Sequence, residues 1–169
     1  MTIAEFQAEV FPLKDKIYRF ACKLLNNSIE AEDAAQEVLL KLWKNKSRLK
    51  EIDSKEAWSM TVTRNLCYDM LKKKKTKIVE LNDVVYMKSD GINPSMQTEN
   101  NDALSKIKQI INNLPNQQGM VFHLREIEGL SYKEIASALE MNLETVKVNL
   151  FRARTKLKEV FGKLEAYGS

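Results

Sequence analysis

Leu130 to Phe161 reads LSYKEIASALEMNLETVKVNLFRARTKLKEVF, and the architecture of the chain is decided there. Ser131 followed by Glu134 has capping-box spacing: a hydroxyl oxygen accepts an orphan N–H at a helix start, and the later acid reaches back. The spacing predicts a helix from about residue 132, a break over Glu140 to Asn142, and a second, longer helix beyond it. Two helices joined by so short a break form a helix-turn-helix, the arrangement that sets its second helix in a DNA major groove. On that second helix Val146, Leu150, Ala153 and Leu157 recur at i, i+4, i+7 and i+11 and must be the buried stripe. The opposite face then presents Glu144, Val148, Phe151, Arg152 and Thr155, flanked by Lys147 and Lys156.

The chemistry of that face suits base reading. The Arg152 guanidinium can donate to guanine O6 and N7 together, a contact worth about 1–3 kcal/mol of discrimination, while Val148 and Phe151 offer apolar contact to thymine methyls. Lys147, Arg154, Lys156 and Lys158 are placed to meet phosphates, which set register without reading sequence. The competing structure is a merely basic surface helix with Phe151 packed on a neighbour.

Outward from this segment, helical periodicity covers about Ile3 to Lys75 and about Ala103 to Leu164. Between them KIVELNDVVYMKSDGINPSMQTENNDA carries Gly91, Pro94 and many Asn and Asp, with no sustained period of 3.6. The expected fold is all-α: two small helical domains, residues 1–77 and 103–169, joined by a flexible linker over 78–102. The apolar IVELNDVVY is expected to dock, drawing the two domains together in the free protein. Two further caps, Asn27 with Glu30 and Asp53 with Glu56, predict helices starting near 28 and 54.

Composition removes other classes. Over 169 residues, 27 Lys and Arg against 23 Asp and Glu leave a net charge of +4, a mild bias toward anionic partners. Cys22 and Cys67 stand apart, and His123 is the only histidine. No metal-ligand spacing can be assembled from them, and no cofactor is expected. The start of the chain, MTIAEFQAEVFPLKDK, lacks the apolar core of a signal peptide, and no run is long enough to span a bilayer. A soluble, cytoplasmic protein without membrane insertion follows. With no Gly-rich phosphate loop and no nucleophile beside His123, an enzyme is not expected.

SIEAEDAAQEVLLKLW, Ser28 to Trp43, sets a different problem, because its acids would repel phosphate. Ala35, Val38, Leu39 and Leu42 form a core stripe, and Asp33, Gln36, Glu37 and Leu40 form a second stripe beside it. The helix dipole accounts for acids in the first turn but not for Leu40. An exposed leucine among acids and an amide suits docking on a basic and apolar protein surface. The next helix, SKEAWSMTVTRNLCYDMLKKKK, sets Trp58, Val62, Leu66 and Asp69 on one line. Asn65 and Asp69 are expected to hold neighbouring segments. The lysines that end it can serve the helix dipole or form a phosphate track.

Three segments, AEDAAQEVLLKLW, AWSMTVTRNLCYDMLKKKK and LSYKEIASALEMNLETVKVNLFRARTKL, resemble in the same order the polymerase-binding, minus-ten and minus-thirty-five regions of bacterial sigma factors of the extracytoplasmic-function group. The resemblance implies a factor that binds core RNA polymerase, through the beta-prime clamp helices and the beta flap, and directs it to promoter DNA. Asp33, Gln36, Glu37 and Leu40 would then dock on the clamp helices. Asn45 to Ala57 would be a specificity loop that captures a flipped base, with Asn65 supporting it and Lys72, Lys73, Lys74 and Lys75 on DNA near the minus-ten element. Lys147, Val148, Phe151, Arg152 and Arg154 would read or grip the minus-thirty-five element. An anti-sigma factor is the implied regulator.

The chain departs from the family pattern in places. Glu140 stands where a Gly is usual, so a left-handed turn there would be strained. Asn149 replaces a common basic residue, and Ser59 a usual Leu. The 25 or so linker residues reach roughly 80 Å at about 3.3 Å each, against roughly 70 Å for two turns of B-DNA. The alternative is an autonomous helix-turn-helix regulator whose N-terminal block dimerises or binds an effector. It requires palindromic sites and a dimer face or ligand pocket, for which no residues stand out.

Overall fold

The computed structural model describes residues 1–82 and 102–168, with side chains over 1–81 and 104–163. Every regular element among them is helical: α1 (Ile3–Glu9), a 3₁₀ turn at Phe11–Leu13, α2 (Lys14–Leu25), α3 (Ser28–Lys44), α4 (Lys46–Leu49), α5 (Lys55–Asn82), α6 (Asp102–Asn112), α7 (Asn116–Phe122), α8 (Tyr132–Leu139) and α9 (Leu143–Gly168). The chain divides into two compact units, Met1–Met96 and Gln97–Ser169. The IVELNDVVY segment beyond Asn82 and most of the expected linker lie outside the described residues.

In the first unit α2, α3 and α5 pack on one another around Ile17, Phe20, Val38, Leu42 and Met60, all buried. The cap at α3 forms as its sequence requires, Asn27 Oδ1 accepting from the N–H groups of Ile29 and Glu30 at 3.0 Å each. Glu30 does not reach back; its carboxylate lies 3.3 Å from Lys74 Nζ. At α5 the cap falls one residue later than Asp53. Ser54 Oγ accepts from Ala57 N–H at 3.1 Å, and Glu56 is drawn instead to Lys16 at 2.6 Å. A half-buried cap hydroxyl and a lysine across the bundle together outcompete the local acid.

The buried face of α5 is not the line through Trp58 and Val62, both half-buried, but the arc of Ala57, Ser59, Met60, Thr61, Thr63, Leu66 and Cys67. Its hydroxyls are satisfied within the helix: Ser59 Oγ donates to Lys55 O at 2.7 Å, Thr61 to Ala57 O at 3.2 Å and Thr63 to Ser59 O at 2.7 Å. Ser59 is therefore fully enclosed without an unpaired group. The helix also runs to Asn82, past the expected end near Lys75, because Thr76 to Asn82 contains neither Pro nor Gly.

In the second unit α6, α7 and α8 each pack on α9. Ser131 and Glu134 close a reciprocal capping box, at 3.1 and 3.0 Å. Glu140 ends α8 in the left-handed region, φ 54° and ψ 46°, so the strained turn is real. The second helix of the motif is capped by Asn142, whose Oδ1 accepts from Thr145 N–H at 2.7 Å. Between α7 and α8 the chain widens into a π turn, His123–Ile127. His123 Nε2 and Glu128 Oε2, both buried, lie 2.8 Å apart there. No helix among the described residues is long and apolar enough to cross a membrane, and no cluster of His, Cys, Asp and Glu among them could hold a metal.

Candidate functional site

On α3 the buried stripe is Ala31, Ala34, Ala35, Val38 and Leu42, with Leu39 half-buried. Helical geometry then turns Asp33, Gln36, Glu37 and Leu40 outward, all four exposed. They line one shallow depression of about 410 Å³ with Lys41 and Lys44. Leu40 is 58% exposed, a leucine held in water among acids. The two lysines, one and two helical turns from Glu37, restrict the negative field to the N-terminal side, so the patch presents acid, then apolar surface, then base along one helix.

Along the middle of α5 the expected minus-ten residues are exposed. Asn65 does not hold a neighbouring segment: its Oδ1 accepts from the adjacent Arg64, at 3.3 Å from Nε and 3.1 Å from Nη2, and Asp69 is exposed as well. Both lie outside the buried arc, which leaves them available to a partner. Lys72, Lys73 and Lys75 are exposed, while Lys74 pairs with Glu30. Within Asn45 to Ala57, α4 is anchored by fully buried Leu49, and Arg48, Lys50, Glu51 and Asp53 face solvent.

On α9, Val146, Leu150 and Ala153 are buried as the periodicity requires, and Glu144, Lys147, Val148, Phe151, Arg152, Thr155 and Lys156 are exposed. Phe151 is 70% exposed, which removes the reading in which it packs on a neighbour. Asn149, buried, donates from Nδ2 to Thr145 O at 2.9 Å and lies off the exposed face of Val148, Phe151 and Arg152. Lys147 lies 3.7 Å from Glu144. Arg154 is set apart from its neighbours: its Nε donates to Glu126 Oε1 at 2.8 Å and Nη2 bonds the same oxygen, which raises the guanidinium pKa further. Arg125 supports the same corner, donating to Leu130 O at 2.9 Å and lying over the Tyr132 ring at 4.7 Å. Sequence reasoning had no local signal for the Arg154–Glu126 pair, since its members are 28 residues apart.

Comparison with known proteins follows the same division. The family model described as Sigma-70 region 2 matches residues 12–77, and the one described as Sigma-70, region 4 matches residues 104–157. The chain is 30% identical over 156 residues to the ECF RNA polymerase sigma factor SigW of Bacillus subtilis, covering 86% of this chain and 83% of that one. It is 27% identical over 151 residues to the ECF RNA polymerase sigma factor SigE of Mycolicibacterium smegmatis, where the match spans 88% of this chain but 58% of the relative. Among solved structures, the sigma factor RpoE of Bartonella quintana, crystallised in complex with the anti-sigma factor NepR, aligns with a TM-score of 0.77 at 27% identity, over 95% of this chain and 98% of that one.

Proposed function

The chain belongs to the sigma-70 family, in the extracytoplasmic-function group of RNA polymerase sigma factors, and from that premise we propose how its surfaces divide the work. Residues 1–77, with α5 running on to Asn82, form the domain that docks on core RNA polymerase and opens the minus-ten element. Residues 103–169 read the minus-thirty-five element, and residues 78–102 connect the two.

The observation that carries this reading is the depression on α3, where Asp33, Gln36, Glu37 and exposed Leu40 converge. A protein that only bound DNA would gain nothing from acids there, whereas the basic and apolar clamp helices of polymerase complement them. Exposed Asn65, Lys72, Lys73 and Lys75 then meet the minus-ten strand, and the segment from Asn45 to Ala57 traps an unstacked base. Extruding a base costs a few kcal/mol, which the pocket and the polymerase contacts together offset. On α9, Arg152, Val148 and Phe151 address base edges while Lys147 and Lys156 hold phosphates. Arg154 joins them only if Glu126 releases it.

The protein acts by binding, in the cytoplasm, and catalyses no reaction of its own. Because the Bartonella relative is held by an anti-sigma factor, we assign this chain a regulator of the same kind, covering the docking or reading faces. Co-purification of the full chain with bacterial core RNA polymerase, followed by run-off transcription from native promoter fragments, tests the proposal. Stoichiometric binding with new start sites is expected. Tight DNA binding by the chain alone, without affinity for core, would overturn it.

A further inference from the structure

The helix α1 precedes the residues matched by the region 2 family model, which begin at 12, and so far has no role. Its placement is specific. A complete capping box, Thr2 with Glu5, fixes its start. Phe6, buried, meets the Trp43 ring edge-on at 5.1 Å and 83°. Trp43 lies in the last turn of the docking helix, at the entry to the Asn45–Ala57 segment, and Lys46, the first residue of α4, sits 3.7 Å over its ring centre. At the other end of α1, Glu9 Oε2 lies 3.4 Å from Nζ of Lys55, the residue that begins α5. One residue further, Glu56 is held by Lys16 of α2 at 2.6 Å. Val10, between Glu9 and the 3₁₀ turn, is fully buried and fastens α1 to the bundle.

The short helix thus touches both anchors of one loop, an aromatic edge at its entry and a carboxylate at its exit. Between those anchors only Leu49 is fully buried. A loop pinned at two ends from outside the bundle presents its exposed tip, Arg48 to Asp53, in one geometry, and a base-capturing pocket needs that preorganisation to discriminate. We propose that α1 is a strap that positions the base-capturing loop, with Phe6 and Glu9 as its positioning residues, so that its integrity sets selectivity at the minus-ten element rather than affinity for polymerase. The inference rests on the loop's role in the proposed function above.

The test uses holoenzyme assembled from the full chain and core RNA polymerase, on a promoter fragment obtained by run-off transcription, with each minus-ten base replaced in turn. Open-complex formation gives the ratio between the preferred and replaced base. Glu9→Lys, which sets like charges against Lys55, should lower that ratio by about fivefold or more, within the range single mismatches command. Core binding and the thermal midpoint should stay at wild-type values. The exchange Glu9→Lys with Lys55→Glu should restore the ratio, and Phe6→Ala should lower it further. An unaltered ratio in Glu9→Lys and Phe6→Ala, or an equal loss on every base, would overturn the strap and leave the proposed function standing. Absence of base discrimination by the wild-type holoenzyme would instead remove the loop's role, and the strap with it.

Discussion

Glu140 holds φ 54° and ψ 46° at the turn of the helix-turn-helix, where its Cβ crowds the following carbonyl. An L-residue there costs about 1–2 kcal/mol relative to the right-handed helix. Glycine escapes that cost but loses about 0.5–1 kcal/mol more conformational freedom on folding. Glu140→Gly is therefore expected to stabilise the second unit by roughly 0.5–1 kcal/mol. Glu140→Ala removes the same carboxylate but keeps the Cβ, so the difference between the two variants isolates the backbone contribution. For a unit of this size about 1 kcal/mol corresponds to a shift of roughly 4–8 °C. The chain supplies its own control, because both tryptophans, Trp43 and Trp58, lie in the first unit. In thermal unfolding, tryptophan fluorescence should give one midpoint for all three proteins. The helical circular-dichroism component belonging to the second unit should melt highest in Glu140→Gly. A glycine variant no more stable than the alanine variant would refute the assignment of strain to this turn.

Three further outcomes are expected. Glu37→Lys reverses charge in the α3 depression and should weaken core polymerase binding about tenfold, or ~1.4 kcal/mol, in a competition assay, with helix content unchanged. Arg152→Ala should spare core binding but cost about 1–3 kcal/mol on promoters read at the minus-thirty-five element, measured as run-off transcript against a promoter lacking it. Burial pushes the Cys67 thiol up to about 12 from the ordinary 9.0. The unfolded chain therefore loses that proton first, and between about pH 9 and 12 the first unit should lose up to ~1.4 kcal/mol of stability per pH unit. Below pH 9 the group contributes no slope. Urea unfolding followed by tryptophan fluorescence should show a shallower alkaline decline in Cys67→Ala.

The helices and the exposed face of α9 were legible because one constraint fixed them: Val146, Leu150 and Ala153 must face inward, so Val148, Phe151 and Arg152 must face out. The same logic exposed Leu40 on α3. Where several groups competed for a partner, local spacing failed. Asp53 and Glu56 have the pattern of a cap, but Lys16, 40 residues earlier, takes the acid and Ser54 takes the cap. Asn65 and Asp69 look like bracing residues only if α5 buries the line through Trp58. Its buried arc is wider, since Ser59, Thr61 and Thr63 satisfy their own hydroxyls and can face the core. Glu126 and Arg154 carry no mutual signal at all, because only the packing of α7 and α8 against α9 brings them together.

The π turn at His123–Ile127 has a consequence for phase. An α-helix advances about 100° per residue, at 3.6 residues per turn. A π turn, bonded i to i+5, takes in an extra residue over the same arc. Gly119, Met120 and Val121 before it and Leu124 within it are all buried, so the inserted residue retimes the helix until both stretches face one core. Winding His123–Ile127 as regular α-helix with every residue kept would swing that apolar face of α7 by about 100° into water, whereas deleting one residue there should leave both stretches in phase. Here the irregular turn is the part of the helix that keeps the regular parts aligned, and α9 packs against the α7 face so aligned.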